Sequence, residues 1–439
     1  MANVSSPGTT DPVLATCADG KVARVVDTEA SAAVDPADSS HLVAAWITRM
    51  GVGRAAIRTA SSFDAGMTWS PSATLPTTSC AGLPIADVSI ATDPSVAVGA
   101  DGVIYVSALA HLAGDTATAI VVAASRDRGR IWTSSVAALA RRADGRFFDN
   151  TSIAADPALS GRAYVVSTRY EPRGRGGVRG AAVVSRSLDG GRTWSPALAV
   201  VPDSLSGTAN APQIVIAARE ARMFVFYTAG AAGGTISMVT SSDGGVTWTR
   251  PSRVSDYFPL RSSPPTFPGT QSPLRVGEDI ARPLYDPWTR SLFVAFTDGR
   301  FSNGETPAVS IVMSRNGGAS WSVPAAVSET TSRASWQGAI ASGSKGLIAV
   351  SCFSPRDEGA GSTGGLPLRR QTVEIRLDSS GRVVHREVVA HQDLDWSIVV
   401  PTWGYFLGDY HALVSVPGKT RAVFVVTADS VSRVVSSPD

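Results

Sequence analysis

Charge, cysteine and long apolar segments are scarce in this sequence. Only 17% of its 439 residues are charged and the formal net charge is +2, so the chain lacks the basic surface typical of proteins that bind nucleic acid or membrane surfaces. No apolar run approaches the roughly 20 residues that a helix needs to span a bilayer. We therefore expect neither a nucleic-acid partner nor a membrane span, and we expect a monomer.

The three cysteines, Cys17, Cys80 and Cys352, have neither metal-ligand nor redox-motif spacing. A Cys17–Cys80 disulfide and buried free thiols are both compatible with the sequence. The first residues, MANVSSPGTT, lack the basic and apolar regions of a secretory signal. A secreted or cell-surface location is expected if such a signal has been removed, and a cytoplasmic one otherwise.

Glycine and proline are plentiful, with 41 and 27 residues, which favours many short strands and turns. One turn-like phrase occurs five times, as SFDAGMTW, SRDRGRIW, SLDGGRTW, SSDGGVTW and SRNGGASW. We call these segments the box turns; they occupy Ser62–Trp69, Ser125–Trp132, Ser187–Trp194, Ser241–Trp248 and Ser314–Trp321.

The box turns have the composition of a β-hairpin tip. Asp or Asn accepts hydrogen bonds from backbone N–H groups, glycine permits positive φ, and Trp covers the apolar side. Spacings of 63, 62, 54 and 73 residues between their Asp or Asn positions indicate a propeller or array of several-stranded units. The phrase also resembles the Asp box, or BNR repeat, of the sialidase-like β-propeller superfamily, which implies an all-β propeller.

We expect seven four-stranded blades, with six, the number in true sialidases, as the alternative. Seven first strands are predicted from EASAAVDP, DVSIATDP, NTSIAADP, QIVIAAR, DIARPLYDP, QGAIASG and DYHALVS, each followed by an apolar second strand. The last unit lacks a fourth strand, which Lys21–Asp27 can supply to close the ring. The predicted domains are an N-terminal extension, 1–20, and a single propeller, 21–439.

In a four-stranded meander, the starts of the first strands lie on the face opposite the box turns. Glu29, Asp87, Asp279 and Asp409 are predicted at these starts, with Tyr410 and His411 beside the last of them. An acid can orient an imidazole for acid–base chemistry, so Asp409 with His411 is a candidate pair. Other expected site residues, on the same face, suit an acidic ligand: Arg49, His111, Arg169, Arg282, Arg300 and Arg356.

A true sialidase of this superfamily has an arginine triad, the first within Arg-Ile-Pro, a Tyr–Glu nucleophile pair and an Asp acid/base. This chain has no Arg-Ile-Pro and has KVARVVDTEASAAV in its first unit, so the triad is not carried over. The leading hypothesis is a glycoside hydrolase-like enzyme acting on an acidic or polar glycan, with Asp87, Asp409, Tyr410 and His411 as catalytic residues. Lyase chemistry can use the same face.

A noncatalytic propeller that binds glycan or protein is the alternative hypothesis. No cofactor is expected, although carboxylates at the axial mouth can hold Ca²⁺.

Overall fold

A computed structural model describes residues 1–6, 11–18, 25–51, 53–173, 177–201, 208–230, 234–260, 280–327, 334–343, 346–355, 366–396, 408–428 and 431–437. In these ranges the chain is all-β apart from one short helix, α1 (Pro12–Cys17), and single 3₁₀ turns. Asp11 caps α1 by accepting hydrogen bonds from the backbone N–H groups of Val13 and Leu14. The 3₁₀ turns are Ser79–Ala81, Ala113–Asp115, Arg142–Asp144, Ala218–Glu220 and Arg300–Ser302.

The strands pair in order of sequence into antiparallel four-stranded sets, which we number as units. Unit 1 comprises β2 (Val26–Asp35), β3 (Asp38–Arg49), β4 (Ala55–Ser62) and β5 (Ala73–Thr74), and unit 2 comprises β6 (Val88–Val98), β7 (Ile104–Leu112), β8 (Ala117–Ser125) and β9 (Thr133–Arg141). Unit 3 comprises β10 (Phe147–Ala155), β11 (Ala163–Arg173), β12 (Gly177–Ser187) and β13 (Leu198–Val201). Unit 4 comprises β14 (Ala209–Ala217), β15 (Arg222–Ala229), β16 (Thr235–Ser241) and β17 (Ser252–Asp256).

Units 5 to 7 complete the set. Unit 5 comprises β18 (Arg282–Asp286), β19 (Ser291–Asp298), β20 (Ala308–Ser314) and β21 (Ala325–Ala326). Unit 6 comprises β22 (Trp336–Ser342), β23 (Ile348–Pro355), β24 (Leu366–Leu377) and β25 (Val383–Trp396). Unit 7 comprises β26 (Ala412–Val416), β27 (Lys419–Ala428) and β28 (Val431–Ser436) together with β1 (Ala2–Asn3). Single parallel bridges, Val26–Ser432 and Ala55–Ile90, join units 7, 1 and 2 into one twelve-stranded sheet.

The core lies between the units. Second and third strands are buried along most of their length because neighbouring units cover both of their faces, as in β3, where Leu42–Ile47 is fully buried. This explains their near-continuous apolar sequences. The first strands contact one another in a closed cycle: β2, β6, β10, β14, β18, β22, β26 and β2 again. Their starts therefore surround a common axis.

The N-terminus completes the last unit, but not through the predicted segment. Ala2 and Asn3 pair antiparallel with Ser436 and Val435 of β28, whereas Val26 and Asp27 begin β2, the first strand of unit 1. The prediction that Lys21–Asp27 is the closing strand is therefore wrong for Val26 and Asp27, and residues 21–24 lie outside the described ranges. Ala2 and Asn3, within the predicted N-terminal extension, belong to a sheet. A two-residue strand leaves no period-2 pattern by which to find it.

Each box turn is held by the hydrogen bonds that its sequence predicts. In the third box, Asp189 Oδ1 accepts from the backbone N–H groups of Arg192 and Thr193, each at 3.0 Å, and Asp189 Oδ2 accepts from the Thr193 hydroxyl at 2.6 Å. Asp64 and Asp243 repeat all three contacts, and Asp127 repeats the two backbone contacts, with the N–H groups of Arg130 and Ile131. Gly190 N–H donates to Gly161 O, which places the box beside the turn between first and second strands, away from the strand starts.

Cys17 at the end of α1 forms a disulfide with Cys80, and Cys352 is a buried free thiol. The bridge closes a loop with a sequence separation of 63 residues, for which loop entropy predicts about 4 kcal/mol of stabilisation. None of the helices in the described ranges has the length and apolar character needed to cross a membrane.

Candidate axial site

A β-bulge near the start of the first strand shapes the axial end of most units. The strand register shifts between Thr28 and Ser31 in β2, and equivalent shifts occur in β6, β10, β14 and β22. Bulges turn the strand and re-aim its side chains. The first bulged residue has positive φ in each case, at Glu29, Asp93, Asn150, Ala211 and Gln337.

This register corrects the prediction for unit 2. Asp93, with φ 54°, occupies the position that Glu29 has in unit 1, and the true turn of unit 2 begins at Gly99. Asp87 lies six residues earlier, exposed in the turn before β6. The Asp-Pro pair at 93–94 resembles a turn in sequence but is the bulge of β6. The sequence signal for this bulge is its distance from the Gly99–Gly102 turn, which ends β6.

The residues directly after the bulges form a relay of hydrogen bonds around the axis. Ser31, Ser95 and Ser152 accept through Oγ from the backbone N–H of the next unit, at Val96, Ile153 and Ile214 respectively, over 3.1–3.3 Å. In unit 4 the equivalent residue is Gln213, whose Oε1 accepts from Arg282 Nη1 at 3.4 Å. The relay therefore ends on a guanidinium.

A polar cavity of about 110 Å³ lies on the axis, and its lining includes Ser31, Gln213, Arg282, Ala339 and Ala412. These are the first residues after the bulge in units 1, 4, 6 and their register equivalents in units 5 and 7. The prediction that strand starts converge on an axial cavity is supported for these units.

Arg282 is half-buried at this cavity, and no carboxylate is paired with it in the part of the chain that the structure describes. Burial lowers the pKa of its guanidinium, and the nearby phenol of Tyr410 opposes this shift. The guanidinium carbon lies 5.4 Å from the centre of the Tyr410 ring. A buried cation without an anionic partner is costly, so the cavity favours an anion.

Tyr410 crosses the axial end of the fold. It is half-buried in unit 7, yet its hydroxyl donates to Pro94 O of unit 2 at 3.0 Å. Burial first, and then the charges of Glu29, Asp93 and Asp409, raise the pKa of this phenol well above its usual value, while Arg282 acts in the opposite direction. Tyr410 is therefore neutral at physiological pH, and three carboxylates lie close enough to act on it.

Glu29 is 4% exposed, and unit 7 packs tightly against it. A Cβ on Gly408 would lie 2.6 Å from Glu29 N and 2.9 Å from its Cγ, and Gly408 has φ +122°. Gln337 Nε2 donates to Gly408 O. Units 6, 7 and 1 are thereby fastened together at the axis, and only glycine fits at position 408.

His411 is placed differently from the prediction. Its side chain is 3% exposed and packs edge-on against Phe353, with ring centres 5.0 Å apart. Neither ring nitrogen has a hydrogen-bond partner among the described residues, so the predicted Asp409–His411 pair is not formed. Burial, followed by the charges of Arg370 and Arg282, lowers the pKa of His411 well below its usual value. The imidazole is neutral and internal.

His111 lies near the axial mouth at the end of β7. Its Nε2 is 3.4 Å from Thr92 Oγ1, which donates to Asp93 Oδ2 at 2.6 Å. Burial is the main reason that the pKa of His111 is lowered; Asp115 and Asp149 oppose the shift, whereas Arg142 and Arg49 reinforce it. Arg49, half-buried at the end of β3, thus acts on the same region.

Two predicted ligand-binding arginines are already paired with acids. Arg169 binds Glu171 at 2.7 Å, and Arg146 and Arg179 also approach this carboxylate, at 3.8 and 3.9 Å. Arg300 pairs with the buried Asp298 and donates to Asp256 O. Both guanidinium groups thus have acidic partners within the protein.

The predicted site residues Asp279 and Arg356 lie outside the described residues. The structure thus brings Glu29, Arg282, Asp409 and Tyr410 together with Asp93, which the sequence-based prediction missed. Within the described ranges, no group of three or more His, Cys, Asp or Glu side chains is arranged to hold a metal ion.

No protein-family model and no curated protein sequence matches this chain. Solved structures with similar folds include a Hadza microbial sialidase, at 12% identity and a TM-score of 0.48 over 89% of this chain and 76% of that one. They also include an α-L-arabinofuranosidase from Fusarium graminearum, at 13% identity and a TM-score of 0.48 over 81% and 92%.

An α-L-arabinanase from Penicillium chrysogenum is similar at 16% identity, with a TM-score of 0.46 over 90% of this chain and 98% of that one. Because every one of these TM-scores is below 0.5, they say nothing about activity, and the site must be judged on its own geometry.

Proposed function

We propose that the seven units are the blades of one propeller and that its axial mouth acts on an acidic or polar glycan. The closed cycle of contacts between first strands supports seven blades. The observation that carries the functional proposal is Arg282, a half-buried guanidinium without a carboxylate partner in the described ranges, facing the axial cavity beside Tyr410. It would bind the carboxylate of a ligand.

Asp93 and Asp409 are the proposed acid and base. Both are half-buried rather than fully enclosed, and both act electrostatically on Tyr410, so they border the same space. One would protonate the leaving oxygen while the other activates water or attacks the sugar. Tyr410, with its raised pKa, would donate a hydrogen bond rather than act as a base.

The experiment compares turnover of a panel of sialosides, arabinofuranosides and uronides by the wild type, Asp93→Asn and Asp409→Asn. Loss of an acid or base should lower kcat about 10²–10⁴-fold with little change in unfolding midpoint. Asp87→Asn is the matched control, because that exposed carboxylate lies outside the mouth. Equal turnover by all three variants and wild type would refute the assignment.

A noncatalytic glycan- or protein-binding propeller is the second candidate. It is favoured by one observation: the Tyr410 hydroxyl and Gln213 are both engaged in hydrogen bonds between units, which is the arrangement of a purely structural axis. Such a protein would bind members of the panel without converting them, and Arg282→Gln would weaken that binding. His411, enclosed as it is, offers no base for a lyase.

The Cys17–Cys80 disulfide supports a secreted or cell-surface location, because such bridges persist in oxidising compartments. Thiol titration of protein isolated from its native host, under conditions that trap free cysteines, tests this. One reactive thiol after unfolding, that of Cys352, is expected; three would contradict it.

A further inference from the structure

Unit 6 lacks a box turn, and this changes how it packs on unit 5. In the third and fourth boxes, the second glycine fits against an aromatic ring of the preceding unit. A Cβ on Gly191 would lie 3.1 Å from Tyr105 Cε1, and one on Gly245 would lie 3.4 Å from Tyr164 Cε1. These two boxes thus fill the groove between neighbouring units.

In unit 5 the ring at the same register is Phe293. It pairs with Met313, directly before the box serine Ser314, as Tyr105 and Tyr164 do in their own units. The hairpin tip of unit 6, Asp378–Arg382, has no box glycine against this ring, and its Gly381 packs on Ser322 instead. Phe293 is 3% exposed because apolar side chains of unit 6 such as Ile348 cover it. A groove nevertheless remains between units 5 and 6, with this buried ring in its floor.

A pocket of about 230 Å³ occupies this groove. Its size is below the roughly 300–1,000 Å³ of pockets that enclose drug-sized ligands, and it suits a single sugar ring. Its exposed lining residues are Trp288, Thr289, Arg315 and Arg376, and buried side chains such as Ser291, Phe293 and Ile348 form its floor.

Trp288 is 79% exposed but is held in a fixed turn. The buried Asp286 accepts hydrogen bonds from Thr289 N at 2.8 Å, from the Thr289 hydroxyl at 2.6 Å and from Ser342 of unit 6 at 2.6 Å. A Cβ on Gly346 would lie 3.3 Å from Trp288 Cδ1, so one edge of the indole rests on unit 6. An exposed but rigid indole can bind a sugar ring at little entropic cost.

Arg315 and Arg376 supply positive charge at the same pocket, and both are exposed. Arg315 donates to Leu377 O at 3.2 Å, which fixes its direction. Neither arginine forms an ion pair with any acid in the described ranges. Guanidinium groups bind carboxylates through paired hydrogen bonds.

We propose that this pocket is a second binding site, for a short uronate-containing saccharide. One sugar ring stacks on Trp288, its hydroxyls bond to Thr289, and its carboxylate binds Arg315 and Arg376. The pocket lies at the box end of the sheets, opposite the axial mouth, so it does not depend on the activity proposed there.

The experiment measures binding of trigalacturonate to the full chain by calorimetry, with maltotriose, a sulfated trisaccharide and inorganic sulfate as comparison ligands. Trp288→Ala should weaken trigalacturonate binding about tenfold, the loss of one stacking contact. Arg376→Gln should weaken it several-fold and reduce its salt dependence. Ile131→Ala, which shortens another exposed side chain at the box end, should change nothing.

Trp288→Phe should retain most of the affinity, and Asp409→Asn should retain all of it even where it abolishes turnover. Four results would overturn the proposal: no saturable binding of trigalacturonate, equal affinity for maltotriose, preference for the sulfated ligand, or competition by sulfate with an affinity that Trp288→Ala leaves unchanged. Circular dichroism checks that the variants are folded.

Discussion

The box turns and the starts of the first strands lie at opposite ends of the same sheets, and they differ in how far their side chains repeat. At the box end, Asp64, Asp127, Asp189 and Asp243 make the same hydrogen bonds within their own turns. At the axial end, the equivalent positions carry serine, glutamine, arginine and alanine. The side chains that repeat stabilise their own turns, whereas the side chains that differ line a cavity shared by several units.

The largest effect expected from this comparison is at Arg282. Arg282→Met removes a half-buried cation that has no acidic partner among the described residues, so the free energy of unfolding should stay the same or rise slightly. Affinity for, or kcat/KM on, the ligand of the axial mouth should fall about 10²-fold, as when one charge-stabilising contact is lost. Urea unfolding and kinetics on the same preparation measure both. If Arg282→Met unfolds the protein instead, the axial residues are structural like the box turns.

At Gly191 we expect the opposite result, in which stability falls and activity is kept. This residue has φ +79°, and an added Cβ would lie 3.1 Å from the Tyr105 ring, so Gly191→Ala should lower the free energy of unfolding by about 2 kcal/mol while the mouth keeps its activity. Gly418→Ala is the matched control. Gly418 has φ +77° with nothing within 4 Å, so the backbone cost alone, about 1 kcal/mol, applies there. Equal losses would show that packing on the preceding unit contributes nothing.

Local signals in the sequence were sufficient for the strands and box turns, because a hairpin tip of Asp, Gly and Trp makes most of its contacts within eight residues. Local signals were not sufficient for features that depend on strand register or on a contact with a residue far along the chain. The bulge at Asp93 shifts β6 relative to its turn, which moved the predicted site residue to Asp87. His411 was predicted at the mouth but is enclosed against Phe353, a contact with another unit.

The pocket beside Trp288 was missed for a related reason. It lies between units 5 and 6 and brings together side chains far apart in the sequence, such as Trp288 and Arg376, which no local pattern pairs. The closing strand shows the same limit, since Ala2–Asn3 has meaning only through its pairing with β28.

A smaller effect is expected at Asp189, whose carboxylate accepts hydrogen bonds from two backbone N–H groups and from the hydroxyls of Ser187 and Thr193. Asp189→Ala should cost about 1.5 kcal/mol, as for the loss of a helix N-cap. Asp189→Asn should cost less than about 0.5 kcal/mol, because the fifth box has Asn316, whose Oδ1 accepts from Ser320 N at 2.9 Å. Urea denaturation at neutral pH distinguishes the two variants. Equal costs would mean that the charge, and not the acceptor, stabilises the turn.

The smallest effect concerns pH, and it separates the charged boxes from the uncharged fifth one. Hydrogen bonds from Thr193 lower the pKa of Asp189 from 3.8 to about 2. A carboxyl with a lower pKa in the folded state stabilises the protein above its unfolded pKa, and this contribution is lost as the pH falls through the folded value. The urea midpoint of the wild type should therefore decrease between about pH 4 and pH 2, and Asp189→Asn should show a shallower decrease. Asn316→Asp should steepen it, because a fifth titrating carboxylate is then held in the same turn geometry. A decrease of the same slope in all three proteins would assign acid sensitivity to carboxylates outside the box turns, such as those that surround Tyr410.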